Sequence, residues 1–303
     1  MSLIDDILTM ENLTRAWNSV AENNGIAGID SISIQRWRRN WEERLINLSI
    51  SVKTNQYQPH KLRIRKIPKK DQTEFRVLRI PTVTDRVLQR ACLQVLMPFY
   101  EAQFIDSSFG YRPNRGIMDA IQRIIFLREN GQCFVFNADI DEFFDSVDHE
   151  LLIRFLQIDL PDETILPLIM QWLKTGAPYG SSTGISQGSP ISPLLANIYL
   201  HRFDLSMQKN NLNLVRYADD FVILFQEERK AKKIQEIAEK ALSLLNLKLE
   251  KSKTKIENFT EGFTFLGVRF YRDEYSYVWE DKEIRVSGKE PDWLFSKYGV
   301  QYN

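Results

Sequence analysis

Three aspartates of this chain stand where carboxylates are costly. Asp139 closes the apolar run CFVFNADI, and the pair Asp219-Asp220 interrupts LVRYADDFVILF between two hydrophobic stretches. An unpaired charge inside such segments carries a large desolvation penalty, so these acids imply a counter-charge. A pair of magnesium ions about 3.5–4 Å apart, held by oxygen ligands, is the arrangement that supports phosphoryl transfer. In it one ion activates an attacking 3′-hydroxyl and the other holds a triphosphate and its leaving oxygen, with Mn2+ as the usual substitute. Asp139 and Asp219 would bridge both ions, with Asp220 beside them. The spacing alone also admits a plainer reading, in which Asp219-Asp220 are hairpin-turn residues and Asp139 caps the segment after its strand. Oxygen is the only ligand type on offer: Cys92, Cys133 and the scattered His60, His149 and His201 make neither a disulfide framework nor a zinc cluster.

The elements that must position these acids are legible from periodicity. CFVFNADI reads as a buried strand, and LVRYADDFVILF as a tight hairpin turning at its Ala-Asp-Asp centre. The stretch PLLANIYLHRFDLSM reads as a helix with Pro193 near its start, 227–246 as a charged amphipathic helix, and FTFLGVRFY at 263–271 as a last strand. Strand, helix, hairpin, helix, strand describes a small α+β sheet with helices on one side. Upstream, 1–51 is helical, and KLRIRKIPKKDQTEFRVLR at 61–79 alternates apolar with basic residues around a turn, as a two-stranded ribbon with one basic face. Helices are expected over 85–99, 116–129, 148–158 and 161–174.

The chain has 303 residues, 43% hydrophobic and 26% charged, which suits a globular protein of two or three lobes and excludes disorder. Forty basic residues balance forty acidic ones, yet the sum hides an asymmetry. Residues 36–90 hold fifteen Lys and Arg against five Asp and Glu, while 139–150 hold six acids and no Lys or Arg. A basic segment and an acidic one in the same chain suit a partner that brings a phosphate backbone to the first and a divalent metal to the second. The N-terminus carries no basic leader and no run approaches eighteen apolar residues, so the expectation is a cytoplasmic protein without a membrane span.

The motifs around the acids form one recognisable constellation. YADD at 217–220, NADIDEFFDSVDH at 137–149 and GISQGSPISPLLANIYL at 184–200 resemble, in order, the catalytic hairpin, first metal-binding motif and nucleotide-covering segment of reverse transcriptases. RVLRIPTVTDRVLQRA at 76–91 and SSFGYRPNRGIMDAI at 107–121 are similar to that family's fingers motifs, and LEKSKTKI at 249–256 and FTFLGVRF at 263–270 to its closing motifs. The bacterial, group II intron-like branch is the best match, CRISPR-associated members among them.

The resemblance implies an α+β right-hand fold: a helical lead-in over 1–60, fingers over 61–132 with 148–190 partly returning, a ferredoxin-like or RRM-like palm over 133–272, and a short tail over 273–303. It implies an RNA-directed DNA polymerase that uses two Mg2+ ions, deoxynucleoside triphosphates, an RNA template and a DNA or RNA primer. Lys69 and Arg76 would grip the triphosphate, Phe144 would be a steric gate excluding a 2′-hydroxyl, and Gln187 would contact the incoming nucleotide. Arg63, Arg112, Tyr217 and Lys253 are the candidates for template or primer contact. Residue by residue, plainer readings stand beside these: a core phenylalanine for Phe144, packing for Tyr217, and a surface lysine for Lys253. About thirty residues follow Phe270, too few for a three-helix thumb, so the expectation is a thumb-less enzyme helped by a partner. Cas1, in CRISPR spacer acquisition, and phage-defence proteins are the partners the resemblance offers, with Trp293, Phe295 and Tyr298 of the tail as a docking surface. The alternatives are an RNA-templated or primer-making polymerase and a non-catalytic RNA-binding subunit. The size of Phe144 speaks against a ribonucleotide-accepting site, and the intact trio of carboxylates against loss of catalysis.

Overall fold

A computed structural model of the protein describes residues 2–68, 75–177, 180–279 and 282–287. The chain divides into two compact units, one drawn from Met1–Gln103 and Phe144–Tyr199, the other from Phe104–Phe143 and Leu200–Asn303. Expected segment 61–132 is thereby divided, its part from Phe104 onward falling in the second unit. No described helix is long and apolar enough to cross a membrane.

In chain order the elements begin with helices α1 (Leu3–Ile7), α2 (Met10–Glu22), α3 (Ile34–Arg38) and α4 (Trp41–Lys53). A two-stranded antiparallel ribbon follows, β1 (Arg63–Pro68) with β2 (Phe75–Ile80), and then helix α5 (Val83–Glu101). Next come α6 (Ile117–Glu129), β3 (Phe134–Ala138), α7 (Phe143–Ser146), α8 (His149–Asp159) and α9 (Leu166–Gly176). The long helix α10 (Ser192–Lys209) leads into the hairpin β4 (Asn213–Tyr217) and β5 (Asp220–Phe225), then α11 (Ala231–Ser243) and β6 (Lys255–Asn258). The last four strands are β7 (Phe263–Phe265), β8 (Val268–Tyr271), β9 (Glu274–Trp279) and β10 (Lys282–Ser287).

The first unit is helical apart from the ribbon. Thr82 caps α5 by accepting from the Asp85 backbone N–H, while the buried Asp85 carboxylate accepts from the hydroxyls of Thr82 and Tyr57 at 2.7 and 2.6 Å. A buried acid therefore anchors the helix start and the approach to the ribbon. Trp37 is fully buried against Trp17, with ring centroids 4.4 Å apart, and its neighbours Arg36, Arg38 and Arg39 are exposed. All of β1 is exposed, including Ile64 and Ile67, while β2 passes from exposed Phe75 and Arg76 to buried Ile80; the register puts Arg63, Arg65 and Arg76 on one face and Lys66 and Arg79 on the other, so the ribbon does not present one basic face.

The second unit holds two sheets. The first has strand order β4-β5-β3-β6, all pairs antiparallel, which is the order of a split β-α-β-β-α-β arrangement. Its closing strand β6 begins at the end of LEKSKTKI and runs to Asn258, and it does not lie in FTFLGVRFY, where a single strand was expected. FTFLGVRFY instead folds back on itself: Phe265 pairs with Val268 across Leu266 and Gly267, both with positive φ (52° and 78°), as a type I′ turn requires. The resulting β7 and β8 belong to the second sheet, of order β10-β9-β8-β7. The sheet was expected to carry helices on one face, and both of its faces are covered. Val135, Val222 and Leu224 pack with α6 and the second sheet in one buried cluster. On the reverse face Phe221 meets Phe203 of α10 at 5.0 Å between ring centroids. Two buried faces explain why β5 reads as an uninterrupted apolar run. Of the expected tail, 274–287 supplies β9 and β10, whereas Trp293, Phe295 and Tyr298 lie outside the described residues.

Candidate active site

Strand parity brings two of the three acids to one side. Val135, Asn137 and Asp139 alternate onto the face shared with Asp220, Val222 and Leu224, since Asn137 pairs with Val222 in register. Asp139 and Asp220 line a polar basin of about 560 Å³ with Lys253, Lys255, Glu257 and Arg269. Asp219 occupies the two-residue turn between Tyr217 and Asp220, which face each other across the hairpin. Ala218 before it has φ 57°, the left-handed value that a tight hairpin demands of its first central residue.

Lys253 enters from the segment preceding β6. Leu249 bridges Ile140, the Glu250 N–H donates to the Asp139 carbonyl at 2.9 Å, and the following turn carries the Lys253 ammonium onto the Asp139 carboxylate. The hydrogen bond to Asp139 raises the lysine's pKa, with the charges of Asp139 and Asp220 adding to it. A raised pKa means that this contact contributes stability below the ordinary lysine value and loses it as pH rises through the higher folded value. Asn137 braces the floor by donating to the Glu257 carboxylate at 2.8 Å and to the Thr264 carbonyl at 3.1 Å.

Among the described residues no three His, Cys, Asp or Glu side chains converge as a ready-made metal cage. Magnesium seldom requires one, because one or two carboxylates commonly hold it while water and substrate phosphates complete the shell. The donor set fits that mode. It is oxygen only, with two acids facing one basin and the third on the adjoining turn, and the Lys253 ammonium shows that Asp139 accepts a cation there.

The turn rests on residues that sequence reasoning missed. Arg216, fully buried, donates from Nε and Nη2 to Oδ1 and Oδ2 of the equally buried Asp204 at 2.7 and 2.5 Å, and from Nη1 to the Ala218 carbonyl at 2.8 Å. Gly110 lies so close that a Cβ there would sit 2.4 Å from the Ala218 nitrogen. Residues 107–109 run alongside β4, with the Arg216 N–H donating to the Ser107 carbonyl and the Phe109 N–H to the Arg216 carbonyl.

Within the first unit, three of the quoted motifs are tied together around Arg79. Its N–H donates to the Gln187 carbonyl at 2.8 Å, its carbonyl accepts from the Ser186 hydroxyl at 3.1 Å, and its guanidinium donates to Asp145 at 3.0 Å. Gly188, at φ 108°, passes so near that a Cβ would meet the Arg79 carbonyl oxygen at 3.2 Å. Phe144 is half-buried and its carbonyl accepts from Ile185 N–H at 2.7 Å, while Phe143 is the core member of the pair. Arg76 is exposed on β2, and Arg63 on β1 donates to the Ala27 carbonyl at 3.2 Å. Lys69 lies outside the described residues.

Arg112 must be reassigned. It is buried, donates to the carbonyls of Ile105, Ser108 and Phe104 at 2.6, 2.8 and 3.3 Å, and stacks over the Phe104 ring. A guanidinium spent on its own loop cannot also serve a nucleic-acid strand. Tyr217 is half-buried, packs on the cluster shared with α6, and has its hydroxyl pKa raised by burial, which favours packing over strand contact.

A family model described as reverse transcriptase (RNA-dependent DNA polymerase) matches residues 67–270. Protein YkfC of Escherichia coli K12 is 29% identical, the match covering 87% of this chain and 80% of YkfC. Group II intron-encoded protein LtrA of Lactococcus lactis is 30% identical over 82% of this chain, and the match spans only 45% of LtrA. A solved telomerase from Candida albicans, in complex with a fragment of telomeric RNA, superposes with a TM-score of 0.54 at 16% identity, covering 86% of this chain and 51% of that one. At that identity the likeness is one of fold.

Proposed function

The chain belongs to the reverse transcriptase family, and from that premise we propose that it extends a primer on an RNA template with deoxynucleoside triphosphates. The observation that carries the reading is the delivery of Asp139 and Asp220, by neighbouring strands and on one face, into a single polar basin, with Asp219 on the adjoining turn. These acids would hold two divalent ions, which when bound lower the pKa of the primer 3′-hydroxyl and neutralise the leaving pyrophosphate. The protein's own contribution is alignment. The Asp139, Asp219 and Asp220 carboxylates fix where primer end and triphosphate meet, and Arg76 of the ribbon counters the triphosphate charge, a role we assign to Lys69 as well. Phe144 is the residue we assign beneath the sugar, and Gln187 the one beside the incoming nucleotide. The bonding of Arg79 to Asp145 and to the 186–187 segment supports treating ribbon, gate and covering segment as one working surface. In these roles the first unit serves as fingers and the sheet β4-β5-β3-β6 as palm. For the pathway, the resemblance points to CRISPR spacer acquisition with a Cas1 partner, with phage defence as its rival; the neighbouring genes decide between them.

Extension of oligo(dT) on poly(rA) tests the activity. Wild-type protein with Mg2+ extends with dTTP in preference to UTP, chelation stops it, and Asp219→Asn drops to background. Absence of wild-type extension, or undiminished extension by Asp219→Asn, refutes the reading. Phe144→Ala is expected to narrow the preference for dTTP over UTP by about tenfold or more, the worth of a filled apolar pocket; unchanged discrimination removes Phe144 from the gate.

A further inference from the structure

The hairpin that carries Asp219 and Asp220 is held from behind. Alternation along β4 sends Tyr217 to the basin side of the sheet and Arg216 to the opposite side, where α10 presents Asp204. The guanidinium there makes four donations. Nε and Nη2 engage both oxygens of Asp204, Nη2 also donates to the Ser108 hydroxyl at 2.8 Å, and Nη1 donates to the Ala218 carbonyl at 2.8 Å. Ala218 is the residue in left-handed conformation immediately before Asp219, and Gly110 presses its nitrogen from another side. Both members of the ion pair are fully buried.

Stability alone gives no reason for this arrangement. Buried ion pairs are commonly matched or bettered by apolar residues of similar volume, because desolvation offsets the Coulombic gain. A planar fork, however, does what an apolar side chain cannot: it fixes a direction, joining a carboxylate on a helix to one particular carbonyl of the turn. The carbonyl it fixes belongs to the peptide unit leading into Asp219.

We propose that Arg216, aligned by Asp204 and Ser108, is a positioning residue for metal binding, setting the orientation of the Ala218–Asp219 peptide so that Asp219 and Asp220 present their carboxylates in one geometry. The proposal rests on the two-metal polymerase reading given above. Residues that orient metal ligands from outside the coordination shell typically govern affinity or activity by about 10–100-fold, and that is the size of effect expected.

Arg216→Lys tests it, because an ammonium preserves the charge facing Asp204 and loses the fork that reaches Ala218. The half-saturating Mg2+ concentration in primer extension is expected to rise, and kcat to fall, by about tenfold or more, while KM for dTTP moves less than threefold and the melting temperature stays within a few degrees. Wild-type kcat and Mg2+ response in a folded Arg216→Lys protein overturn the proposal. So does a loss of kcat that follows only the unfolded fraction and is restored by cooling. Should Arg216→Lys not fold, Ser108→Ala withdraws one acceptor from the same guanidinium and leaves the ion pair intact; it is expected to raise half-saturating Mg2+ at least twofold, and wild-type values there overturn the proposal equally. Calorimetric titration with Mn2+ in the absence of nucleic acid gives a second readout. If wild-type protein extends no primer, the polymerase reading fails; if it does and the variants bind Mn2+ as wild type does, only the positioning role fails.

Discussion

Arg112 and Arg63 illustrate how the same side chain is used in two ways. Arg112 satisfies carbonyls of Phe104, Ile105 and Ser108 in a buried loop, whereas Arg63 stands on an exposed strand. Arg112→Ala strands those acceptors, and leaving buried polar groups unpaired costs about 1–3 kcal/mol. The expected outcome is a lower melting temperature with an unchanged slope of log K against log salt for RNA binding. A slope reduced by about 1 is instead the mark of a lost phosphate contact. At this scale the sequence was informative where a residue broke its surroundings. Asp139, Asp219 and Asp220 stand out as charges in apolar strands, so their placement at one end of a sheet was legible. Arg216 was not, although it too is a charge in an apolar strand. Its partner Asp204 lies twelve residues earlier on a helix, and only the packing of that helix on the sheet joins them. Arg112 was misread because an Arg in a Gly/Pro/Asn-rich loop looks solvated until the loop is seen to curl around it.

The β4–β5 hairpin is an element defined by its neighbours. A tight turn with a non-glycine residue at φ 57° is strained on its own, and Gly110 allows a backbone to approach and hold it. Gly110→Ala places a methyl 2.4 Å from the Ala218 nitrogen, a backbone atom that cannot swing away. Polymerase activity is therefore expected to fall by about tenfold or more, the usual cost when support around a metal site is disturbed. Far-UV circular dichroism should remain that of the wild type. Full activity in Gly110→Ala means that the hairpin tolerates displacement. Helices were legible from periodicity and caps, as was the hairpin itself. FTFLGVRFY reads as one strand because β7 and β8 both alternate buried apolar with exposed residues, and only the left-handed Leu266-Gly267 pair marks the reversal. Strand β6 was missed because KIEN is short and polar and gains its place by pairing with β3. That pairing is tertiary information, which no local pattern carries.

Taken over the whole molecule, equal numbers of positive and negative charges describe neither half well. The exposed ribbon collects Arg63, Arg65, Lys66 and Arg76, while the acids gather about the sheet end. Replacing Arg63, Arg65 and Lys66 together by Ser is expected to weaken binding to RNA of any sequence. It should also flatten the salt dependence by about 2 in log–log slope, with little effect on melting temperature because β1 is exposed throughout. An unchanged slope moves the nucleic-acid track off the ribbon. The two-unit division was hidden from linear reading because each unit is assembled from separate stretches, the chain passing between them after Gln103, Phe143 and Tyr199. That interleaving has a consequence during synthesis. The core strand β3, with Val135 buried on one face and Phe136 on the other, leaves the ribosome roughly ninety residues before β5, the strand that pairs with it along its whole length. At about 5–20 residues per second this leaves a sticky, unpaired edge waiting for roughly five to twenty seconds. During that interval the sheet that carries Asp139 and Asp220 is incomplete and its apolar strand is open to aggregation.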